Sequence, residues 1–157
     1  LGLIGSVNTK MHLAQARGCS PIAGAYMENR MVIKPVKPDT IAKSLAIGNP
    51  ADGFYALQVV QDSGGSAVIA EENEISESIK LLAETEGIFT EGAGGVAVAS
   101  LKRLAQSGKI KANETTVVYI TGNGLKTVEI VAGAVNPIPI AATVESFESA
   151  MDAAVIS

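Results

Sequence analysis

The sequence predicts an α/β fold, a mostly parallel sheet with helices on both faces. Three observations carry that reading. Short apolar or β-branched runs alternate with longer segments whose apolar residues recur every three or four positions. Strands separated by such segments form βαβ units, which pair in parallel. The composition, 47% hydrophobic and 18% charged over 157 residues, suits one packed domain rather than a disordered chain. Tryptophan is absent and aromatics are few, so Ala, Val, Ile and Leu must build the core.

Taken in order, residues 1–5 read as the end of a helix without its beginning, and residues 11–16 as a short strand broken by Gly18. A helix follows, with Ser20 as N-cap and Pro21 at its first position, where a missing N–H costs nothing. Residues 35–39 form a proline-punctuated loop, after which Asp39 or Thr40 caps a short helix through Leu45 and Ala46. Asn49 as N-cap, Pro50 in the first turn and the acidic Asp52 predict the next helix, through Phe54, Leu57, Val59 and Val60 to Gly64 and Gly65. Residues 66–70 are a β-type run. Glu71, Glu72 and Glu74 then open a helix with Ile75, Ile79, Leu82 and Ala83 on one face, ending at Gly87.

Residues 93–106 read as a helix of small residues, with Val98, Leu101 and Ala105 on one side and Gly108 beyond its end. Residues 115–120 are the most continuous strand pattern. Further on, Pro137 and Pro139 restrict residues 137–140 to an edge strand or extended arm, and residues 143–154 read as an exposed helix with Phe147 and Met151 on one side. After Lys126 the sequence becomes a mixed region. Three or four strands are few for a parallel sheet, so the chain is either part of a larger protein or borrows a partner's surface. Small-residue helices and the apolar excess imply exposed patches and self-association.

Charge and cysteine content exclude several classes. The net charge is −4 and the 12 Lys and Arg residues form no extended cluster, which argues against a nucleic-acid partner. One cysteine, Cys19, allows no intrachain disulfide, and no His or Cys pair has metal-ligand spacing, so no metal is expected. No apolar run approaches the ~20 residues that span a bilayer, and the start lacks the charged flank of a signal peptide, so a cytoplasmic protein is expected.

The residues that could carry chemistry lie mainly at 121–126. A buried strand running into Thr121-Gly122-Asn123-Gly124-Leu125-Lys126 would place a hydroxyl at its carboxyl end, where open α/β sheets bind ligands, and Gly122 and Gly124 would admit a flat ring or a phosphate. The alternative is a glycine turn that only joins two elements. Asn49, at a helix start, could help bind an anion or simply cap the helix. Gly92-Ala93-Gly94-Gly95-Val96-Ala97 formally fits a dinucleotide fingerprint, but the run before it is a weak strand and tight packing is the better reading. His12 and Cys19 read as structural residues rather than a base and a nucleophile.

Five segments taken in order carry a resemblance. Gln15-Ala16-Arg17-Gly18-Cys19-Ser20-Pro21, Lys37-Pro38-Asp39-Thr40-Ile41-Ala42, Ile47-Gly48-Asn49-Pro50, Glu91-Gly92-Ala93-Gly94-Gly95 and the 121–126 turn together resemble the carboxyl half of the threonine synthase family, fold type II enzymes using pyridoxal 5'-phosphate. The resemblance covers residues 1–126. It implies part of the large domain of that fold, a homodimeric lyase of threonine biosynthesis, and conversion of O-phospho-L-homoserine and water to L-threonine and phosphate.

Carried over by position, the resemblance gives Thr121 the hydrogen bond to the cofactor's pyridine nitrogen, with Gly122 beside it, and Asn49 a place near the substrate phosphate. The Schiff-base lysine of the family lies upstream of the position matching Leu1. No catalytic residue is therefore expected within these residues, and the chain alone is expected to be an inactive fragment. Lys126 is assigned a loop role. Gly92 stands where many relatives carry proline, and Asn123 where some carry histidine. A threonine dehydratase-like lyase and a noncatalytic α/β assembly module are the competing readings.

Overall fold

The computed structural model describes residues 3, 5–134 and 138–155. Strand β1 (Leu13–Ala16) pairs in parallel with β2 (Ala67–Ala70), Leu13 opposite Ala67 and Ala16 opposite Ala70. Alternation along the strands gives each face its own core. Leu13, Ala67 and Ile69 pack with Ala23 and Tyr26 of helix α1 (Pro21–Met27), backed by helix α2 (Gly53–Asp62). Ala14, Ala16 and Ala70 pack with Ile75 and Ile79 of α3 (Glu72–Glu86) and Val96 and Ala99 of α4 (Gly92–Gln106). Helices thus cover both faces of a parallel sheet, as expected, though among the described residues it has two strands rather than three or four.

Helix starts depart from the expected caps in an instructive way. Pro21 does open α1, but Ser20 makes no side-chain cap. Instead Gln15 reaches over from β1, and its Oε1 accepts from the N–H groups of Ile22 at 3.0 Å and Ala23 at 2.9 Å. The orphan donors of the first turn are satisfied from the preceding strand. Asn49 is not the N-cap of α2. Gly53 N–H donates to Pro50 O in a tight turn, the first helical bond runs from Ala56 to Asp52, and Asp52 takes the cap position. The helix expected after Thr40 is one 3₁₀ turn, Lys43–Leu45, with Thr40 Oγ1 accepting from Ala42 N–H at 3.1 Å.

Helix α3 follows the reading closely. Glu71 N–H donates to the Glu74 carboxylate at 2.8 Å, and Gly87, at φ 68°, closes the helix in the left-handed conformation that glycine adopts without strain. Helix α4 lies against α3 where Gly95 has no Cβ: a methyl group there would stand 2.7 Å from Ile75 O. Its buried face is Val96, Val98, Ala99, Ser100 and Leu104, whereas Ala105, expected inside, is exposed.

The segment 115–120, the strongest strand pattern in the sequence, is not a strand. It runs without backbone ladder bonds among the described residues, with Val117 74% and Tyr119 73% exposed. Strand propensity expresses itself only beside a partner strand, and β1 and β2 do not reach it. Beyond residue 126, Ile130 and Val131 pack against the α3–α4 core. Residues 138–140 form no strand, Pro137 lies outside the described residues, and helix α5 (Val144–Val155) exposes Phe147 and Met151 as expected. Of residues 1–5, read as a helix end, Leu1, Gly2 and Ile4 lie outside the described residues.

The loops at the carboxyl ends of both strands meet at one carboxylate. Glu72 accepts from Gly18 N–H and Thr40 Oγ1–H, each at 2.9 Å, and from Ile41 N–H at 2.9 Å. Glu72→Ala should therefore cost about 3 kcal/mol, the worth of one or two charge-assisted bonds, with a fall in urea midpoint to match.

His12 has the structural role expected of it, its Nδ1 accepting from Ser66 N–H at 3.1 Å. Burial, then the Lys10 and Lys109 cations, push its pKa below the ordinary 6.5, against a smaller opposing effect of Glu114. The folded state thus binds fewer protons than the unfolded chain, so this contribution is complete above pH 6.5 and declines as pH falls below it. Urea midpoints between pH 5 and 8 should show that decline, and His12→Gln should flatten it.

Candidate functional site

The 121–126 turn is built against the residues that lead into α4. Thr90 and Asn123 form an antiparallel bridge. Gly122 O accepts from Glu91 N–H at 3.1 Å and from Thr90 Oγ1–H at 2.9 Å, while Gly124 N–H donates to Phe89 O at 3.0 Å. Asn123 Oδ1 accepts from Leu125 N–H at 2.9 Å and caps the 3₁₀ turn Gly124–Lys126. The backbone is thereby held on the carboxyl side of Thr121.

Both glycines serve close approach. A Cβ on Gly122 would stand 1.9 Å from Glu91 Oε1, and one on Gly124 would enter the Phe89 ring at 2.6 Å. Among the described residues Glu91 is the only buried acid, and its side chain is 4% exposed. Lys126 answers it. The ammonium lies 3.0 Å from Glu91 Oε2 and donates to Oε1 at 3.1 Å, while its own side chain remains largely solvated. A buried carboxylate needs such a partner, since desolvation without pairing is strongly unfavourable. Lys126 thus has a loop-bracing role, in keeping with the reading of the sequence.

Thr121 is exposed, and its hydroxyl makes no hydrogen bond among the described residues. The turn therefore presents one neutral donor and acceptor on a rigid frame. Asn49 is also exposed, in a bend, and no hydrogen bond joins it to the turn. The structure brings Thr121 and Gly122 together with Glu91 and Lys126, but not with Asn49. Cys19 is buried, and burial pushes its thiol pKa up, which suits packing and not nucleophilic attack. The glycines of 92–95 are filled by protein: Gly92 faces Ala42, Gly94 the Thr90 side chain and Gly95 the Ile75 backbone. No cradle for a dinucleotide phosphate is left there.

Sequence reasoning missed Phe89 and Thr90 as the seat of the turn, and Glu72 as the junction of the strand-end loops. Two glycine-rich segments, 92–95 and 122–124, do signal close backbone approach. Nothing in the pattern says that they approach each other.

This is a two-faced parallel α/β domain with a braced polar turn beside the amino end of a helix. The chain belongs to the pyridoxal-phosphate dependent enzyme family, whose model matches residues 3–122, and pyridoxal phosphate is the cofactor of that family. Over 118 residues it is 43% identical to threonine synthase of Methanocaldococcus jannaschii, covering 74% of this chain and 29% of that protein. It is 35% identical to threonine synthase of a Bacillus species, covering 91% and 38%. The chain thus spans about a third of the length of these curated relatives. Among solved structures, the processed threonine deaminase isoform 2 of Solanum lycopersicum shares the fold with a TM-score of 0.61 at 23% identity, over 80% of this chain and 37% of that one. The L-serine ammonia-lyase of Rhizomucor miehei does so with a TM-score of 0.58 at 18% identity, over 80% and 42%.

The residues at the turn fit one end of that cofactor: an exposed hydroxyl with no protein partner among the described residues suits a heteroaromatic nitrogen. Gly122→Ala should break the frame that holds it. Its Cβ would displace the Glu91 carboxylate, at a cost of about 2 kcal/mol in urea unfolding. In the Glu91→Ala background the same substitution should cost much less, and a double-mutant cycle measures the difference.

Proposed function

We propose that these residues form part of a threonine synthase, a lyase that converts O-phospho-L-homoserine and water to L-threonine and phosphate. The observation that carries this reading is the 33–43% identity to curated threonine synthases, against 12–23% to the solved relatives that share the fold. Pyridoxal phosphate supplies the electron sink of such a reaction when bound. In this reading Thr121 hydrogen-bonds the pyridine nitrogen and Gly122 keeps the backbone close to the ring. Glu91 and Lys126 act at one remove, by holding the turn.

A hydroxyl at that nitrogen, unlike a carboxylate, does not keep it protonated, which moderates the ring's electron demand and favours replacement over competing outcomes. Asn49 is assigned to the substrate phosphate as an amide donor. The lysine bonded to the cofactor is assigned to polypeptide outside residues 1–157, so the chain alone is inactive. The intact protein is a cytoplasmic homodimer in this reading. Among the described residues no helix is long and apolar enough to cross a membrane.

The second reading, a threonine dehydratase-like lyase, has the fold likeness to threonine deaminase in its favour. A chimera separates the two. With residues of this chain in place of the matching stretch of the archaeal relative, phosphate and threonine should form from O-phospho-L-homoserine, and the isolated chain should form neither. Keto-acid production from threonine alone would favour the dehydratase. In the active chimera, Thr121→Asp should shift the ratio of threonine to side products, and an unchanged ratio would remove Thr121 from control of the reaction.

A further inference from the structure

Helix α4 begins weakly. Its first residues are Gly92, Ala93, Gly94 and Gly95, and its N-cap, Glu91, makes no side-chain cap. Glycine is the poorest helix former after proline, so backbone propensity does not fix where Glu91 stands, and tertiary contacts must. Three of these come from residues that precede or belong to the α3–α4 pair and its neighbouring loop: the Ile75 backbone at Gly95, the Thr90 side chain at Gly94 and Ala42 at Gly92. The fourth comes from beyond the 121–126 turn. Ile130 Cδ1 stands 3.0 Å from the place a Gly92 Cβ would take, a place that Ala42 Cα approaches to 2.9 Å.

Ile130 reaches this point because the chain folds back directly after Lys126. Thr127 is buried and its N–H donates to Gly124 O at 3.0 Å, and Ile130 N–H donates to Thr127 O at 3.1 Å within the 3₁₀ turn Val128–Val131. Ile130 and Val131 are half-buried against the α3–α4 core, whereas Val128 and Glu129 are exposed. The path of contacts closes on itself. The 121–126 turn leads to Ile130, Ile130 bears on Gly92, Gly92 follows Glu91, and Glu91 abuts Gly122 and pairs with Lys126. We propose that Ile130 is a positioning residue for Thr121: it clasps the glycine that opens α4, and so sets the Glu91 carboxylate on which the turn rests. Deprived of that contact, Gly92 regains conformational freedom and Glu91 moves with it. The bearing of Ile130 on the reaction rests on the assignment of Thr121 to the cofactor's pyridine nitrogen, but its hold on the turn does not.

Ile130→Val removes one carbon, Cδ1, the atom that stands at Gly92. Val131→Ala removes apolar surface from the same core but none of the atoms nearest Gly92. Hydrogen exchange of the chain is read at two amides that hold the turn, Glu91 to Gly122 O and Gly124 to Phe89 O, and at two that hold the sheet, Leu13 to Ser66 O and Arg17 to Ala70 O. Ile130→Val should speed exchange at Glu91 and Gly124 about fivefold beyond any change at Leu13 and Arg17. Ile130→Leu, which keeps a terminal methyl, should restore most of that protection, and Val131→Ala should move all four amides together. In the active chimera, Ile130→Val should lower kcat about threefold with KM for O-phospho-L-homoserine little changed. No preferential change at Glu91 and Gly124, or the same preference with Val131→Ala, would overturn the proposal. Faster exchange at those two amides with kcat unchanged would uphold the hold of Ile130 on the turn and remove Thr121 from the reaction.

Discussion

Glu72 stands where the whole arrangement converges. As the first residue of α3 it follows β2 after Glu71 alone, and its carboxylate gathers the backbone after β1, through Gly18, and the 40–41 loop, through Thr40 and Ile41. One acidic side chain thus joins the carboxyl ends of both strands to a loop remote in sequence. Its position at a helix start is favourable in itself, since the helix dipole and the free N–H groups of the first turn attract negative charge. The consequences run outward by contact. Held by this junction, Ala42 lies against Gly92, which opens α4; Gly92 follows Glu91; and Glu91 bears on Gly122. The frame around Thr121 is set by this succession of close contacts.

That succession works because the contacts are too tight to slide. Gly92, Gly94, Gly95 and Gly122 each approach a neighbour so closely that an added methyl would overlap it. Interiors packed in this way have few alternative arrangements. The buried Glu91 carboxylate adds direction to the packing. It is paired with Lys126, whose exposed stem brings the ammonium in from solvent, and the pair closes the turn over the start of α4. A second set of ion pairs ties the amino end of α3 to its surroundings, Arg17 with Glu71 and Arg103 with Glu74. These are partly solvated, and their value lies more in orientation than in stability.

Local structure was legible wherever the signal is itself local. Residues 72–86 form a helix because Glu71 and Glu74 cap it, Ile75 and Ile79 give it one apolar face, and Gly87 can take a positive φ. The two strand runs and the small-residue helix were readable on the same grounds. The caps of α1 and α2 were not, since Gln15 satisfies from a distance what Ser20 was expected to satisfy, and a Pro50 turn delays the helix that Asn49 would have begun. Residues 115–120 show the limit most clearly. Their β-branched pattern is strong, yet a strand requires a neighbour, and pairing is not encoded within the segment that needs it.

The amino-acid sequence by itself determined the α/β class, the order of most elements and, through motifs kept in a fixed order, the pyridoxal-phosphate family confirmed over residues 3–122. These follow from periodicity, turn chemistry and residue identity, which act over a few positions. Only the tertiary structure decided that Glu91 and Lys126 brace the turn bearing Thr121, that Glu72 joins three segments, and that Asn49 makes no hydrogen bond to that turn. Each depends on which distant segments meet, and such meetings are governed by the fit of whole surfaces rather than by any pattern along the chain.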